Sequence, residues 1–139
     1  MTPFVLDASV ALAWFIDTPV PDYATTIRQR MSVGQRAIVP AIWHLEMANA
    51  LAVAERRGAI RAEDISSALD LIDFLLSGAI ESRPDFVSAR GALRTARMFN
   101  LSAYEAVYLD TARTSGLPLA TLDKSLRSAA TRAGVQLAS

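Results

Sequence analysis

The chain has 139 residues, of which 52% are apolar and 20% charged, and its 14 basic and 14 acidic side chains balance to zero net charge. This length and composition suit one domain with a sizeable core and exclude a disordered chain, while the zero net charge gives no support to nucleic-acid binding. The sequence has no cysteine and a single histidine, His44, so disulfides, thiol nucleophiles and zinc-finger or zinc-protease sites are excluded within one chain.

The opening residues and the apolar stretches indicate where the protein resides. The segment "MTPFVLDAS" has no basic region and reaches an acid at Asp7, which is not the pattern of a signal peptide. The longest apolar stretch, "AIWHLEMANALAVA", contains His44, Glu46 and Asn49, which argues against a membrane span. We therefore expect a cytoplasmic protein that does not enter a membrane.

Short apolar runs alternate with helical patterns along the chain. In chain order we predict a strand at 3–6, a helix from Asp7 to about 15, a helix at 23–31, a strand at 37–40, helices at 42–57 and 62–76, a strand at 78–82, helices at 86–99 and 102–114, a strand at 117–121, a helix at 123–133 and a strand at 135–138. This order predicts a single α/β domain over residues 1–139, with a five-stranded, mostly parallel sheet covered by helices on both faces. We expect the larger apolar side chains in its core: Trp14, Phe74, Leu75, Leu76 and Phe86.

Two acids stand at the ends of predicted strands. Asp7 follows "FVL", and Asp123 follows "LPLAT" after one residue. Active sites of parallel sheets collect at the carboxyl ends of the strands, near the point where the strand order reverses, so both acids are candidate site residues. Each also precedes a predicted helix, so helix capping remains the alternative, with Ser9 as a second candidate cap beside Asp7.

Glu46 lies on a helix face that should be partly buried. Its neighbours at helical spacing are mostly apolar: Ile42, Asn49, Ala50 and Val53. A carboxylate on such a face is unfavourable unless it is paired or bound to a cation, so a ligand role is favoured over a solvent-exposed one. Asn49, one turn further on, could orient this carboxylate through a hydrogen bond.

The stretch "LSAYEAVYLD" contains two more acids, Glu105 and Asp110. Ser102 and Glu105 have the spacing of a capping box, so Glu105 is a candidate cap as well as a candidate ligand. Asp110 lies five residues further on, which is about 140° around a helix. The two carboxylates therefore cannot easily face one ion, and at most one of them belongs to a metal site.

Several carboxylates gathered at one place require a cation. They repel one another and raise one another's pKa values unless a positive charge neutralises them, and the only lysine in the sequence is Lys124. Oxygen-only ligands suit Mg²⁺, with Mn²⁺ as a substitute. Such an ion lowers the pKa of a water and stabilises the oxygen that leaves during phosphodiester cleavage.

Four stretches in this order resemble a known family: "VLDASVALAWF", "VPAIWHLEMANALAVAERRG", "LSAYEAVYLDTA" and "LPLATLDKSL". They resemble the successive blocks of PIN-domain ribonucleases, and more closely those of VapC toxins from bacterial toxin–antitoxin pairs. The resemblance covers nearly the whole chain. It implies a five-stranded α/β/α sandwich and Mg²⁺-dependent cleavage of RNA. It also implies a homodimer and a cognate VapB-like antitoxin that covers the site.

The resemblance assigns the family's catalytic and metal-binding acids to four positions: Asp7, Glu46, Glu105 and Asp123. It also matches Ser9 to a hydroxyl position beside the first acid and Asn49 to a position beside the second. The family usually has aspartate at the third place. Glu105 keeps the carboxylate but is one methylene longer, so metal geometry, ion preference or rate can differ. Asp110 matches none of the family's ligands, so we expect it to be structural.

Arginines at helical spacing in "ARGALRTARMF" form a basic stripe made of Arg90, Arg94 and Arg97. An acidic site that takes RNA needs a basic rim, and these three side chains are candidates for phosphate contacts. A second set of candidates follows the Glu46 helix: Arg56, Arg57 and Arg61. A solvated helix face is the alternative for the stripe.

Other α/β classes fit less well. A receiver domain needs paired acids at the first strand and a lysine after the fifth, whereas Asp7 stands alone and Lys124 follows the fourth. A haloacid dehalogenase needs Asp-x-Asp, and this chain has Ser9 at the second acid. A degenerate PIN domain, which binds RNA or a partner protein without cleavage, remains the alternative because of Glu105.

Overall fold

The computed structural model describes residues 1–84 and 86–139. Within them the strands are β1 Phe4–Leu6, β2 Ala37–Pro40, β3 Ile80–Arg83 and β4 Leu119–Ala120. The helices are α1 Ala8–Ile16, α2 Asp22–Ser32, α3 Ile42–Arg56, α4 Ala62–Leu76, α5 Ala89–Phe99, α6 Ala103–Ser115 and α7 Lys124–Arg132. None of the helices in these two ranges is both long enough and apolar enough to cross a membrane.

The strands form one parallel sheet in the order β3-β2-β1-β4. Crossovers between parallel strands are right-handed, so the connections from β1 to β2 and from β2 to β3 place α1 to α4 on one face. The connection from β3 back to β4 runs in the opposite direction and places α5 and α6 on the other face. The observed packing agrees, because α1 contacts α2 and α3 while α6 contacts β1, β2, β4, α5 and α7. The predicted parallel sheet flanked by helices is thus confirmed.

The predicted five strands are wrong, because the part of the chain that the structure describes forms a sheet of four. Residues 135–138, the expected fifth strand, make a single parallel bridge between Leu137 and Leu119. Leu119 donates its N–H to the Gln136 carbonyl at 2.9 Å and accepts from the Ala138 N–H at 2.9 Å. Because β4 is only two residues long, it presents one residue to this neighbour, and the pairing extends no further.

The core lies on both faces of the sheet. All three residues of β1 and all four of β2 are buried, as expected for short apolar strands covered by helices on both sides. Leu75 is buried as expected, but Phe74 is 69% exposed and Phe86 is 90% exposed, so the core prediction is wrong for these two. Phe74 lies outside the buried stripe of α4, and Phe86 precedes α5, which begins three residues later than we predicted.

The sheet order places one crevice at the carboxyl ends of β1 and β4. The chain leaves β1 toward β2 on one side, whereas β4 pairs with β1 on the other side, so the strand order reverses between them. Such a switch point is where ligands bind in open α/β sheets. The helix α3 begins two residues after β2, and α6 runs back toward the start of β4, so both begin near this edge.

Candidate metal centre

Asp7 is positioned by the pairing of β1 with β4. Leu6 is aligned with Ala120, so the next residues, Asp7 and Thr121, come side by side at the carboxyl edge. Asp7 is only 7% exposed, and its Oδ2 accepts hydrogen bonds from Ser9 Oγ at 2.6 Å and Thr121 Oγ1 at 2.7 Å. It occupies the N-cap position of α1, but its side chain makes no capping bond. The capping alternative for Asp7 is therefore wrong.

The pKa of the Asp7 carboxyl group is raised above its ordinary value. Burial is the main cause, and the negative charge of Asp123 adds to it, while the hydrogen bonds from Ser9 and Thr121 act in the opposite direction. A buried carboxylate that also faces a second negative charge is stabilised by a cation.

Glu46 lies on the second turn of α3 and is half-buried, as its apolar neighbours in the sequence predicted. Burial raises the pKa of this carboxyl group, a hydrogen bond from Tyr108 lowers it, and the charges of Asp7 and Glu105 raise it further. Asp7, which follows β1, and Glu105, on α6, therefore both lie near enough to Glu46 on α3 to interact with it electrostatically.

The residue that orients Glu46 is Tyr108, which the sequence analysis missed. Its hydroxyl donates a 2.6 Å hydrogen bond to Glu46 Oε1. Asn49, the partner we expected, is exposed and makes no hydrogen bond with Glu46 among the residues that the structure describes. A role for Asn49 at the site stays a prediction. One feature of the sequence could have pointed to Tyr108. It lies three residues after Glu105, and this spacing places both side chains on one helix face.

The two carboxylate oxygens of Glu105 lie in different environments, one in a helix cap and the other buried. The capping box is present, with the Glu105 N–H bound to Ser102 Oγ at 3.1 Å and the Ser102 N–H bound to Glu105 Oε1 at 3.3 Å. The other oxygen, Oε2, is buried and has no hydrogen-bond partner among residues 1–84 and 86–139. An unpaired buried carboxylate oxygen is costly, and a cation would satisfy it. Capping by Glu105 is confirmed, and it leaves one oxygen available to a ligand.

Asp123 also caps a helix with one oxygen. It is the N-cap residue of α7, and its Oδ1 accepts a 2.9 Å hydrogen bond from the Leu126 N–H. The capping alternative for Asp123 is therefore confirmed. This bond does not use Oδ2, and the charge of Asp123 acts on Asp7 across the crevice.

The four acids thus share one arrangement, in which a protein donor holds one oxygen of each carboxylate. The held oxygens are Asp7 Oδ2, Glu46 Oε1, Glu105 Oε1 and Asp123 Oδ1. The side chains repel one another, but among the described residues no three acidic or histidine side chains lie close enough to form a metal centre as they stand. The oxygen-only donor set and the unpaired Glu105 Oε2 fit a hard cation such as Mg²⁺ or Mn²⁺, which would draw the carboxylates together.

Asp110 lies apart from this group, as its angular separation from Glu105 predicted. Both of its carboxylate oxygens accept from Thr95 Oγ1, at 2.9 and 3.0 Å, and Arg113 lies 3.9 Å away. The hydrogen bonds from Thr95 join α5 to α6, whereas Arg113 lies on α6 beside Asp110. These contacts support the structural role expected for Asp110.

The predicted basic stripe lies on the exposed face of α5. Arg90, Arg94 and Arg97 line one shallow surface depression, and none of them forms an ion pair with any described residue. The first turns of α5 adjoin the start of α6, because Gly91 and Ala92 line one depression together with Val107, two residues beyond Glu105. Arg97 lies about 10 Å beyond Arg90 along the helix, at 1.5 Å per residue.

The second set of arginines lies further from the acids. Arg56 is ten residues beyond Glu46, about 15 Å along α3. Arg61 faces acids of its own, with its Nε 3.3 Å from an Asp64 oxygen and 3.7 Å from a Glu63 oxygen. Arg56 is therefore far from Glu46 along α3, and Arg61 is already paired with acidic side chains.

Comparison with known proteins agrees with this fold. In parallel α/β domains of this class, ligands bind in the crevice at the carboxyl ends of the strands, where the strand order reverses. The family model described as "PIN domain" matches residues 4–131, so the chain belongs to the PIN domain family, which is a nuclease-type family.

One solved structure with the same fold is the crystal structure of PAE2754 from Pyrobaculum aerophilum. The two chains are 24% identical, with a TM-score of 0.67 over 92% of this chain and 79% of that one. At this identity the likeness concerns the fold alone. The search of curated proteins finds no match.

Proposed function

We propose that this chain is a Mg²⁺-dependent endoribonuclease of the VapC toxin kind, which hydrolyses RNA phosphodiester bonds with a metal-activated water and is inhibited by a cognate VapB-like antitoxin. One observation carries the proposal: Glu105 Oε2 is buried, with no hydrogen-bond partner in the described part of the chain, in a crevice where the charges of Glu46, Asp7 and Asp123 also act. Membership of the PIN domain family supports the nuclease activity.

The residues that would hold the ion are Asp7, Glu46, Glu105 and Asp123. When bound, Mg²⁺ or Mn²⁺ supplies a positive charge that lowers the pKa of a water and stabilises a leaving oxygen. The protein contributes the arrangement of its oxygens. Ser9 and Thr121 hold Asp7, and Tyr108 holds Glu46, so the unheld oxygens are restricted to few orientations.

The substrate must approach a group of negative charges, and the stripe on α5 offers a row of exposed basic side chains for it. Its exposed guanidinium groups lie in one row, which fits a phosphate backbone that tracks the helix toward Glu105. We propose that Arg97, Arg94 and Arg90 contact successive phosphates of single-stranded RNA. The zero net charge of the chain makes this local row, rather than overall charge, the source of attraction.

Exposed apolar side chains support the proposed protein partners. Five large apolar side chains on α3, α4 and α5, or just before α5, are each more than half exposed: Leu45, Phe74, Phe86, Leu93 and Met98. Exposed apolar surface marks protein interfaces, and we propose that some of these side chains serve a homodimer. Tyr104, 60% exposed beside Glu105, offers an apolar contact at the acidic edge for an antitoxin segment. Sedimentation equilibrium tests the dimer, and a monomer at every concentration would contradict it.

A second candidate is the degenerate PIN domain that binds RNA or a partner without cleavage. The observation that favours it is that no three acids among the described residues are close enough to form a metal centre as they stand. The glutamate at the third acidic position points the same way. The two candidates differ in metal binding and turnover.

A cleavage assay separates them. The purified chain is incubated with a mixed RNA pool and a matched DNA pool in Mg²⁺, Mn²⁺ or EDTA, beside Asp7→Asn, Glu105→Gln and the control Asp70→Asn, which changes an exposed acid on α4. Metal-dependent RNA cleavage that both site variants lose, and the control keeps, supports the nuclease. Activity retained in Glu105→Gln restricts that residue to capping. If the folded parent chain cleaves nothing with either metal, the binding module is favoured.

A further inference from the structure

Tyr108 joins the two helices that contribute glutamates to the crevice. It lies on α6, is 1% exposed, and donates its 2.6 Å hydrogen bond to Glu46 on α3. The two residues are 62 positions apart in the sequence, and their helices lie on opposite faces of the sheet. Because Glu105 lies one turn earlier on α6, a single helix carries one glutamate and holds the other.

The chemistry of the site makes Tyr108 the donor in this bond. Burial raises the pKa of the Tyr108 hydroxyl, and the hydrogen bond and the negative charge of Glu46 raise it further. The hydroxyl therefore stays protonated at neutral pH, and a buried phenol must place that proton on an acceptor. Glu46 Oε1 is this acceptor, so the glutamate cannot turn that oxygen elsewhere without leaving the Tyr108 hydroxyl unpaired.

We propose that Tyr108 is a positioning residue for the metal centre: it holds Glu46 Oε1 so that Oε2 is the oxygen available to a divalent cation. This inference rests on the proposed Mg²⁺ site and adds to it a residue that contacts neither the ion nor the substrate. Such partners of metal ligands fix the orientation of the ligand, and their removal reduces metal affinity about 10- to 100-fold. The hydrogen bond also opposes the rise in the pKa of Glu46 that burial and the charges of Asp7 and Glu105 cause.

Titration of the whole chain with Mn²⁺, followed by calorimetry and by the loss of the free-ion paramagnetic resonance signal, tests the inference without an activity assay. Tyr108→Phe removes one hydroxyl and keeps the ring, and Tyr104→Phe is the matched control, because its hydroxyl belongs to an exposed side chain on the same helix. We expect Mn²⁺ to bind Tyr108→Phe about 10- to 100-fold more weakly than the parent chain and to bind Tyr104→Phe unchanged. In the Glu46→Gln background, Tyr108→Phe should add little further loss, because the two residues act together.

The outcomes separate this inference from the function on which it rests. If the parent chain binds Mn²⁺ and Tyr108→Phe binds it equally well, the inference is overturned and the metal site stands. Equal losses from Tyr108→Phe in the parent and Glu46→Gln backgrounds also overturn it, because the hydroxyl then acts independently of Glu46. If the parent chain binds no Mn²⁺, the proposed metal-dependent function is contradicted, and the inference that rests on it is overturned with it.

A second measurement uses the parent sequence, in case Tyr108→Phe does not fold. The chain is labelled with 3-fluorotyrosine, and the fluorine signals of Tyr23, Tyr104 and Tyr108 are followed while Mg²⁺ is added, with Tyr104→Phe as an assignment aid. A shift of the Tyr108 signal that saturates with the ion, while the Tyr104 signal stays constant, supports the inference. A Tyr108 signal that does not move at saturating Mg²⁺ overturns it.

Discussion

Thr121 donates a 2.7 Å hydrogen bond to Asp7 Oδ2 and so joins the residue after β4 to the residue after β1. The two positions are 114 residues apart, and only the parallel register of these strands brings them together. The same hydroxyl accepts the Asp123 N–H at 3.0 Å, so it links two of the four acids. The strand pairing that builds the sheet therefore also builds one half of the acidic crevice.

The raised pKa values of Asp7 and Glu46 predict how the stability of the metal-free protein depends on pH. The native state holds these protons at a higher pH than the unfolded chain, whose values are near 3.8 and 4.5. The unfolded state thus binds fewer protons, so the free energy of unfolding falls as pH rises from these values through the raised native ones. We expect urea denaturation in EDTA to show this fall, and Asp7→Asn to reduce it. A difference between parent and variant that is independent of pH would contradict the prediction.

A divalent ion should stabilise the parent chain and not the Asp7→Asn variant. Binding to the native state alone adds RT ln(1 + [ion]/Kd), about 2.7 kcal/mol at 100 times Kd, so the Tm of the parent should rise with Mg²⁺. In EDTA we expect the Asp7→Asn variant to have a higher Tm than the parent. The substitution removes a buried negative charge that the charge of Asp123 repels. Thermal denaturation followed by circular dichroism measures both effects. Equal Mg²⁺ stabilisation of the two proteins would argue against Asp7 as a ligand.

The two roles of Glu105 can be separated by changing its capping partner. Ser102→Ala removes the hydroxyl that accepts from the Glu105 N–H and should lower the free energy of unfolding by about 1 kcal/mol. The Mn²⁺ affinity of Ser102→Ala should stay within about twofold of that of the parent, because the Glu105 carboxylate is intact. Glu105→Gln keeps an acceptor for the Ser102 N–H and removes the charge, so it should weaken Mn²⁺ binding with a smaller loss of stability. Urea denaturation and calorimetric titration of both variants give the comparison, and a loss of Mn²⁺ affinity in Ser102→Ala would link the two roles.

The arginines of α5 should contribute to RNA binding as one row. Arg90→Gln and Arg97→Gln should each weaken binding of single-stranded RNA, since both side chains line the same exposed depression. A plot of the logarithm of the RNA-binding constant against the logarithm of the salt concentration has a negative slope. Each lost phosphate contact should make this slope less steep by about 0.7. Fluorescence anisotropy at several salt concentrations, without divalent ions to prevent cleavage, measures both quantities. The control is Arg56→Gln at the end of α3, and equal effects of all three variants would show nonspecific attraction only.

Thr95 and Asp110 should matter for stability and not for metal binding. Thr95→Val keeps the shape of the side chain and removes the hydroxyl that binds both carboxylate oxygens. We expect a loss of about 1.5 kcal/mol in the free energy of unfolding and no change in Mn²⁺ affinity. Thr26→Val, at an exposed position of α2, is the matched control for the substitution itself. A loss of Mn²⁺ affinity in Thr95→Val would place Asp110 nearer to the site than its contacts indicate.

Local patterns along the chain are enough to predict the element order and most of the fold. Apolar runs such as "FVL" and "AIVP" predicted β1 and β2, and helix signals predicted α3 and α4 within one residue at each end. These predictions succeeded because a short strand buried on both faces and an amphipathic helix each leave a local pattern. The capping box at Ser102 and Glu105 is local in the same way, and it is present.

Only the tertiary structure decided the length of the sheet and the contacts of the acids. An apolar segment at 135–138 predicts a strand equally well whether its neighbour offers one residue or five, and β4 offers one. The partner of Glu46 is likewise a matter of distance in space: Asn49 is close in sequence but exposed, whereas Tyr108 comes from a helix on the other face of the sheet. Local patterns report which face of an element is buried, but they do not report which distant atom it meets, because strand pairing and crossover direction determine that contact.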